Sequence, residues 1–282
     1  MSLLSGATLA GVAACHAPRG SQTESARNAH PIGVNTRTVG RMFSNDPNMT
    51  VRTLAGMGFE TIELGGPGFF AINHAKLRRT MDAEGVTAPS LHVDMDDVLR
   101  RPDRVVAVAN QLGCKHIVLP PAARALRTPE GWRHLSALLN VFGMRAQVSG
   151  LTCAYLHSEE DLQPVVGDGL SHRTWLDILM EDTEPNYVSL ELDLPTVLRA
   201  NHNTEETAPD HVLARTRLIH LGALDENVTR DLHTKVSVND VAPMLKRHLK
   251  GSLDGLFISR APAARPLPSL ARSLNAVKTL QV

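Results

Sequence analysis

The sequence predicts a single eight-stranded parallel α/β barrel, the (β/α)8 or TIM-barrel class, over residues 31–282, and three observations carry that reading. Strand-like and helix-like patterns alternate from Ile32 onward. They make eight strand–helix units, in a length close to the roughly 250 residues such barrels use. Several strands also end in carboxylates or imidazoles, which act together only in a fold that gathers its strand ends at one mouth.

The stretch Tyr187 to Asp193 anchors the reading. Val188, Leu190 and Leu192 share one face and Ser189, Glu191 and Asp193 the other, the period-two pattern of a strand. A carboxylate that ends a buried strand is costly unless paired, so Asp193 reads as functional. Glu191, one layer deeper, reads as a structural charge.

The remaining elements follow in order. Ile32 to Arg37 is the first strand; a helix begins near Pro47, with Asp46 as cap and proline at its first position. Phe59 to Leu64 is the second strand, stopped by Gly65, Gly66, Pro67 and Gly68; a helix over 73–84 ends at Gly85. Val86 to Val93 is the third strand, followed by a helix over 102–112 and Gly113. Lys115 to Leu119 is the fourth, stopped by Pro120 and Pro121. Thr128 to Ser149 is a long helix, Leu151 to His157 the fifth strand, and 171–181 the helix before the sixth. A weaker helix at 207–214, the seventh strand Arg217 to Leu221, a helix at 239–249, the eighth strand Gly255 to Ser259 and a helix at 267–280 complete the count. The repeat period is irregular and suggests no internal sequence repeat. A doubly wound open sheet would carry a glycine-rich phosphate loop after its first strand, and the residues from Thr38 to Arg41 lack that spacing.

Composition narrows the function. Lys+Arg and Asp+Glu both number 29, so the formal charge is zero, which argues against a nucleic-acid partner. Hydrophobic residues make up 43%, enough for a sizeable core. Cys15, Cys114 and Cys153 form no disulfide framework, and the last two read as small buried hydrophobes. No run of about 20 apolar residues suggests a membrane span. Residues 1–30 read as a signal-like leader and tether outside the fold: Leu3 to Ala14 is apolar and small, and Val12 to Cys15 resembles a bacterial lipoprotein cleavage box with Cys15 as the lipidated residue. That points to export or the periplasm, although no Lys or Arg precedes Leu3; without a working signal the protein would be cytoplasmic.

The inward residues at the strand ends are Asn35, Glu63, His92, Asp193 and His220, with His157 and Glu159 just past the fifth strand. Carboxylates and imidazoles from several strands suit a divalent cation: Mn²⁺, Zn²⁺ or Mg²⁺. They also suit proton transfer beside a sugar carbonyl. The expected roles are Asp193 and His220 as metal ligands, Glu63 and His92 as proton-transfer groups, and Asn35, His157 and Glu159 as substrate contacts. Asp193 and His220 should share one cup, within about 10 Å of each other, if the strands close into a ring.

At these residues the chain resembles the sugar-phosphate isomerase/epimerase family, with its xylose-isomerase-like barrel. The resemblance runs from Ile32 to Leu280. It rests on Ile32 to Asn35 with Thr38 and Val39, Leu54 to Leu64, Pro89 to Asp94, Leu112 to Pro120, Leu190 to Leu194 and Leu218 to Leu221. It implies a divalent-metal site with acidic ligands from the fifth, sixth and eighth strands and a histidine from the seventh. Asp193 and His220 match that pattern. Leu156 and Ser259 stand where the other two ligands would be, and the lysine that often follows the seventh-strand histidine is absent. The expectation is therefore a sugar isomerase- or epimerase-like barrel that acts on or binds a carbohydrate through an incomplete metal site. The alternative is a degenerate, non-catalytic barrel that binds a carbohydrate or a protein partner.

Overall fold

A computed structural model describes residues 30–165, 173–200, 209–222, 241–243, 245–246, 253–259 and 265–279. The expected leader with Cys15, and most of the helix expected at 239–249, lie outside the described residues.

Eight strands form a closed parallel barrel: β1 (Ile32–Asn35), β2 (Thr61–Leu64), β3 (Thr87–His92), β4 (His116–Leu119), β5 (Thr152–Leu156), β6 (Val188–Asp193), β7 (Thr216–His220) and β8 (Gly255–Ile258). Each pairs with the next in sequence, and β8 returns to β1 through Gly33 opposite Phe257. The strands are buried on both faces, by the interior filling and by the outer helices, so β1, β2, β4 and β8 have no exposed residue.

Local chemistry sets the helix ends. Asp46 accepts from the Met49 N–H at 2.9 Å and starts Pro47–Gly56. Thr128 caps Pro129–Gln147, and Thr174 with Asp177 forms a capping box before Trp175–Asp182. Three short helices absent from the sequence reading are Gly40–Asn45, Met95–Arg100 two residues after β3, and Leu194–Ala200 directly after β6.

Inside the barrel a small apolar cluster of Val118, Ala154, Leu218 and Phe257, with Leu156 packed against it, forms a floor. The Phe257 ring occupies space that a side chain at position 33 would need: a Cβ on Gly33 would lie 2.6 Å from Phe257 Cδ1. Cys114 and Cys153 are buried, and burial pushes the Cys114 thiol up to about 12, so both are inert at neutral pH.

Candidate metal centre

Strands β2 and β3 stand opposite β6 and β7, four steps around the ring. Each wall brings one carboxylate and one imidazole to the barrel axis: Glu63 and His92 from the first, Glu191 and His220 from the second. Their ligand atoms all lie within 4.8 Å of one another. The two rings stack across the barrel, with centroids 5.7 Å apart and planes 9° from parallel. Each carboxylate meets both imidazoles. His92 Nε2 is 3.1 Å from Glu63 Oε1 and 2.8 Å from Glu191 Oε2; His220 Nε2 is 2.6 Å from Glu63 Oε2 and 3.0 Å from Glu191 Oε1.

These residues fit a divalent cation. His92 Nε2 and both Glu191 oxygens are buried with no aligned hydrogen-bond partner among the described residues, although nitrogen and oxygen stand close together. Only His220 Nε2 and Glu63 Oε2 make an aligned hydrogen bond within the four, at 2.6 Å, and donors gathered so closely around one centre could hold a metal ion. Two carboxylates and two imidazoles also suit Zn²⁺ or Mn²⁺ in donor type. The expectation of an incomplete, degenerate site at Leu156 and Ser259 is therefore corrected: four candidate ligands are present, the expected His220 together with Glu63, His92 and Glu191. The physical reason is that a barrel interior can supply ligands from any inward layer. Leu156 pairs with Glu191, so the neighbouring strand offers a carboxylate at the same level.

The electrostatics are those of a self-neutralising cluster. Burial alone would raise the Glu63 carboxyl, but His92 and His220 outweigh it and hold it well below the usual range. Burial alone would lower His92, but Glu63 and Glu191 raise it to about 9; His220 is raised well above its usual value in the same way, by Glu191 and Glu63 against burial. Two carboxylates with two protonated imidazoles are neutral. So are two carboxylates, two neutral imidazoles and one divalent ion.

The two walls repeat a spacing. Glu63 and His92 are 29 residues apart, and so are Glu191 and His220. The registers agree as well: Glu63 pairs with Ser90, two residues before His92, and Glu191 pairs with Leu218, two residues before His220. On the other side, Glu63 pairs with Asn35 and Glu191 with Leu156. The surroundings differ. Asn35 Nδ2 donates to Glu63 Oε2 at 2.7 Å and Ser90 Oγ donates to Glu63 Oε1 at 2.6 Å. The matching positions beside Glu191 are both leucine.

The other expected residues sit around this centre. Asn35 bonds Glu63 as described and also caps the Arg37 N–H at 2.8 Å. Asp193 and His220 do share one cup: Asp193 Oδ2 is 3.8 Å from His220 Nδ1, on the side of the ring away from the cluster, while Oδ1 accepts from the Thr196 N–H at 2.9 Å. Burial opposes its charge, but His220, Thr196 and His157 hold Asp193 at about 2. His157 Nε2 accepts from the Asp193 N–H at 3.0 Å, which leaves the proton on Nδ1, facing the Ser158 carbonyl at 3.2 Å. Burial keeps this imidazole below its usual value. Glu159 accepts from Arg199 Nε at 3.0 Å on the rim. Sequence reasoning left Glu191 out of the site. The available signals were its place on the inward face of the strand with Asp193 and its spacing from His220.

A cavity of about 490 Å³ opens at the ends of β1, β2 and β3, lined by Arg37, Gly66, Phe69, His92, Asp94 and Arg101 among others. His92 therefore belongs to both the cluster and the cavity wall. Glu63 and Glu191 have no exposed surface. Gly65, at φ +144°, lets the β2 end pass close beneath the His92 backbone.

Comparison with solved structures identifies the architecture. A sugar phosphate isomerase/epimerase from Parabacteroides distasonis superposes with a TM-score of 0.72 at 15% identity, covering 94% of this chain and 99% of that one. The chain has the xylose-isomerase-like barrel fold. A 3-keto-D-glucoside 4-epimerase from E. coli matches with a TM-score of 0.60 at 17% identity, covering 89% of this chain and 99% of that one. A xylose-isomerase-like TIM-barrel protein from Mycobacterium smegmatis, in complex with magnesium, matches at 0.59 and 14%, over 90% of this chain and 97% of that one. No protein-family model and no curated protein matches the sequence. Among the described residues, no helix is long and apolar enough to cross a membrane.

Proposed function

We propose that the protein is a divalent-metal-dependent isomerase or epimerase acting on a carbohydrate. The observation that carries this reading is the cluster of Glu63, His92, Glu191 and His220, which reaches the mouth cavity through His92. All four residues would hold the ion, with His220 backed by Asp193. When bound, the ion would polarise a substrate carbonyl, which makes the neighbouring C–H acidic. The cavity offers Arg37 and Asp94 for hydroxyl groups and Phe69 for an apolar ring face, within a volume that suits a monosaccharide. His92 sits where such a ligand meets the cluster, and a cluster carboxylate would accept the carbon-bound proton and return it. The epimerases and isomerases that share this fold are consistent with the reading.

The test is metal analysis of purified protein, followed by deuterium exchange from solvent into a panel of keto- and aldo-sugars. Stoichiometric Mn²⁺ or Zn²⁺ with carbon-bound exchange is expected. A protein that holds its ion yet exchanges nothing across the panel would sink the isomerase reading.

A further inference from the structure

Both carboxylates of the cluster are fully buried, and a substrate oxygen that approached a bound ion would displace more easily the one less firmly held. We propose that Asn35 and Ser90 are positioning residues that fix Glu63 as the permanent ligand, and that Glu191 is the exchangeable one. This rests on the metal-dependent reading above and assigns its two carboxylates different parts.

Glu63 and Glu191 occupy equivalent places on opposite walls, 29 residues before their histidines and in the same register. Backbone, depth and ligand type are matched. Only the flanking side chains differ. Glu63 receives the Asn35 amide on one oxygen and the Ser90 hydroxyl on the other, at 2.7 and 2.6 Å. Leu156 and Leu218 stand at the equivalent positions beside Glu191 and can donate nothing. The Glu191 oxygens accordingly face only the two imidazoles, at 2.8 and 3.0 Å, whereas each Glu63 oxygen also accepts from an outer side chain.

Outer hydrogen bonds orient a metal-bound carboxylate and hold it in place. Releasing Glu63 would break two of them and strand two buried donors, whereas releasing Glu191 breaks none. Glu191 is thus the carboxylate free to shift, and the one that would take the proton: the C–H bond beside the carbonyl would break, an O–H bond would form on Glu191, and the electron pair would move into the new C=C bond as the carbonyl oxygen gained negative charge.

The experiment measures Mn²⁺ affinity by calorimetry and Co²⁺ visible absorption as a report of coordination, in the full chain. Asn35→Ala and Ser90→Ala should each weaken Mn²⁺ binding roughly 10–100-fold, while Ser90→Thr, which keeps the hydroxyl, should retain it. Glu63→Gln should lose more affinity than Glu191→Gln, and only Glu191→Gln should keep a wild-type Co²⁺ spectrum when the cavity is filled with a sugar. Unchanged affinity in Asn35→Ala and Ser90→Ala would overturn the proposal. So would equal losses in the two glutamine variants. Thermal melts of the cation-free variants separate misfolding from lost binding. Wild-type protein that binds no divalent cation sinks both this assignment and the isomerase reading. Protein that binds as predicted but exchanges no carbon-bound hydrogen sinks only the latter.

Discussion

His92 and His220 face each other across the barrel, nearly parallel, with 5.7 Å between ring centroids. Two imidazoles so placed between two buried carboxylates have two neutral fillings, a pair of protons or one divalent ion.

The first prediction follows from that choice. In cation-free protein the raised His92 stabilises the fold through its proton. This contribution is complete below the unfolded value near 6.5 and is lost as pH rises through about 9. It is on the order of 3 kcal/mol for a shift of that size. Cation-free protein should therefore lose melting temperature between pH 6.5 and 9, and Mn²⁺- or Zn²⁺-loaded protein should not. Melting curves at both ends of the window, with and without metal, check this.

Acid should expose the opposite limb. Asp193, held at about 2, contributes stability above its unfolded value near 4, and the contribution falls away as pH drops toward 2. Asp193→Asn should flatten the acid limb of a stability–pH profile by up to about 2 kcal/mol. It should also weaken the cation less than Glu63→Gln does, since Asp193 stands 3.8 Å behind His220.

Gly65→Ala should damage the centre without touching a ligand. The new Cβ would stand 2.8 Å from both His92 Cβ and His92 O, at a φ of +144° that strains any side chain. A cost of about 1–3 kcal/mol is expected, with weaker Mn²⁺ binding as His92 is pushed aside. Calorimetric titration and a denaturant melt on the same variant measure both.

Tyr155→Phe should cost stability at a separate place. The Tyr155 hydroxyl accepts from the Ala122 N–H at 2.9 Å and donates to the buried Asp161 at 2.8 Å, tying the loop after β5 to the loop after β4. Removing it strands a buried N–H, which costs about 1–3 kcal/mol. Urea denaturation of the variant gives the value.

The barrel was legible because its strands are punctuated. Asp46 and Thr128 announce helices, Gly85 and Gly113 end them, and period-two runs such as Val188 to Asp193 lie between. The short helices after β3 and β6 were not, since each is only six or seven residues long, too short to show a helical period. Of the cluster, Glu63, His92 and His220, the last inward residues of their strands, were singled out by position, with Glu63 and His92 expected as proton-transfer groups and His220 as a ligand. Glu191 could not be placed, because depth inside a barrel depends on strand stagger. Stagger is set by packing between chain segments rather than by any local pattern. The resemblance to the family directed attention to Leu156 and Ser259, whereas the cluster takes its second carboxylate from Glu191, the partner of Leu156 on the neighbouring strand.

The equal spacing on the two walls gives each ligand a counterpart related by half a turn about the barrel axis. A substitution at 63 can be set against the same substitution at 191, and one at 92 against one at 220, with solvent exposure and strand geometry cancelling in the difference. The residual reports only what the neighbouring side chains contribute, so the molecule carries its own reference measurement for how far a hydrogen-bonded surround strengthens an otherwise identical donor.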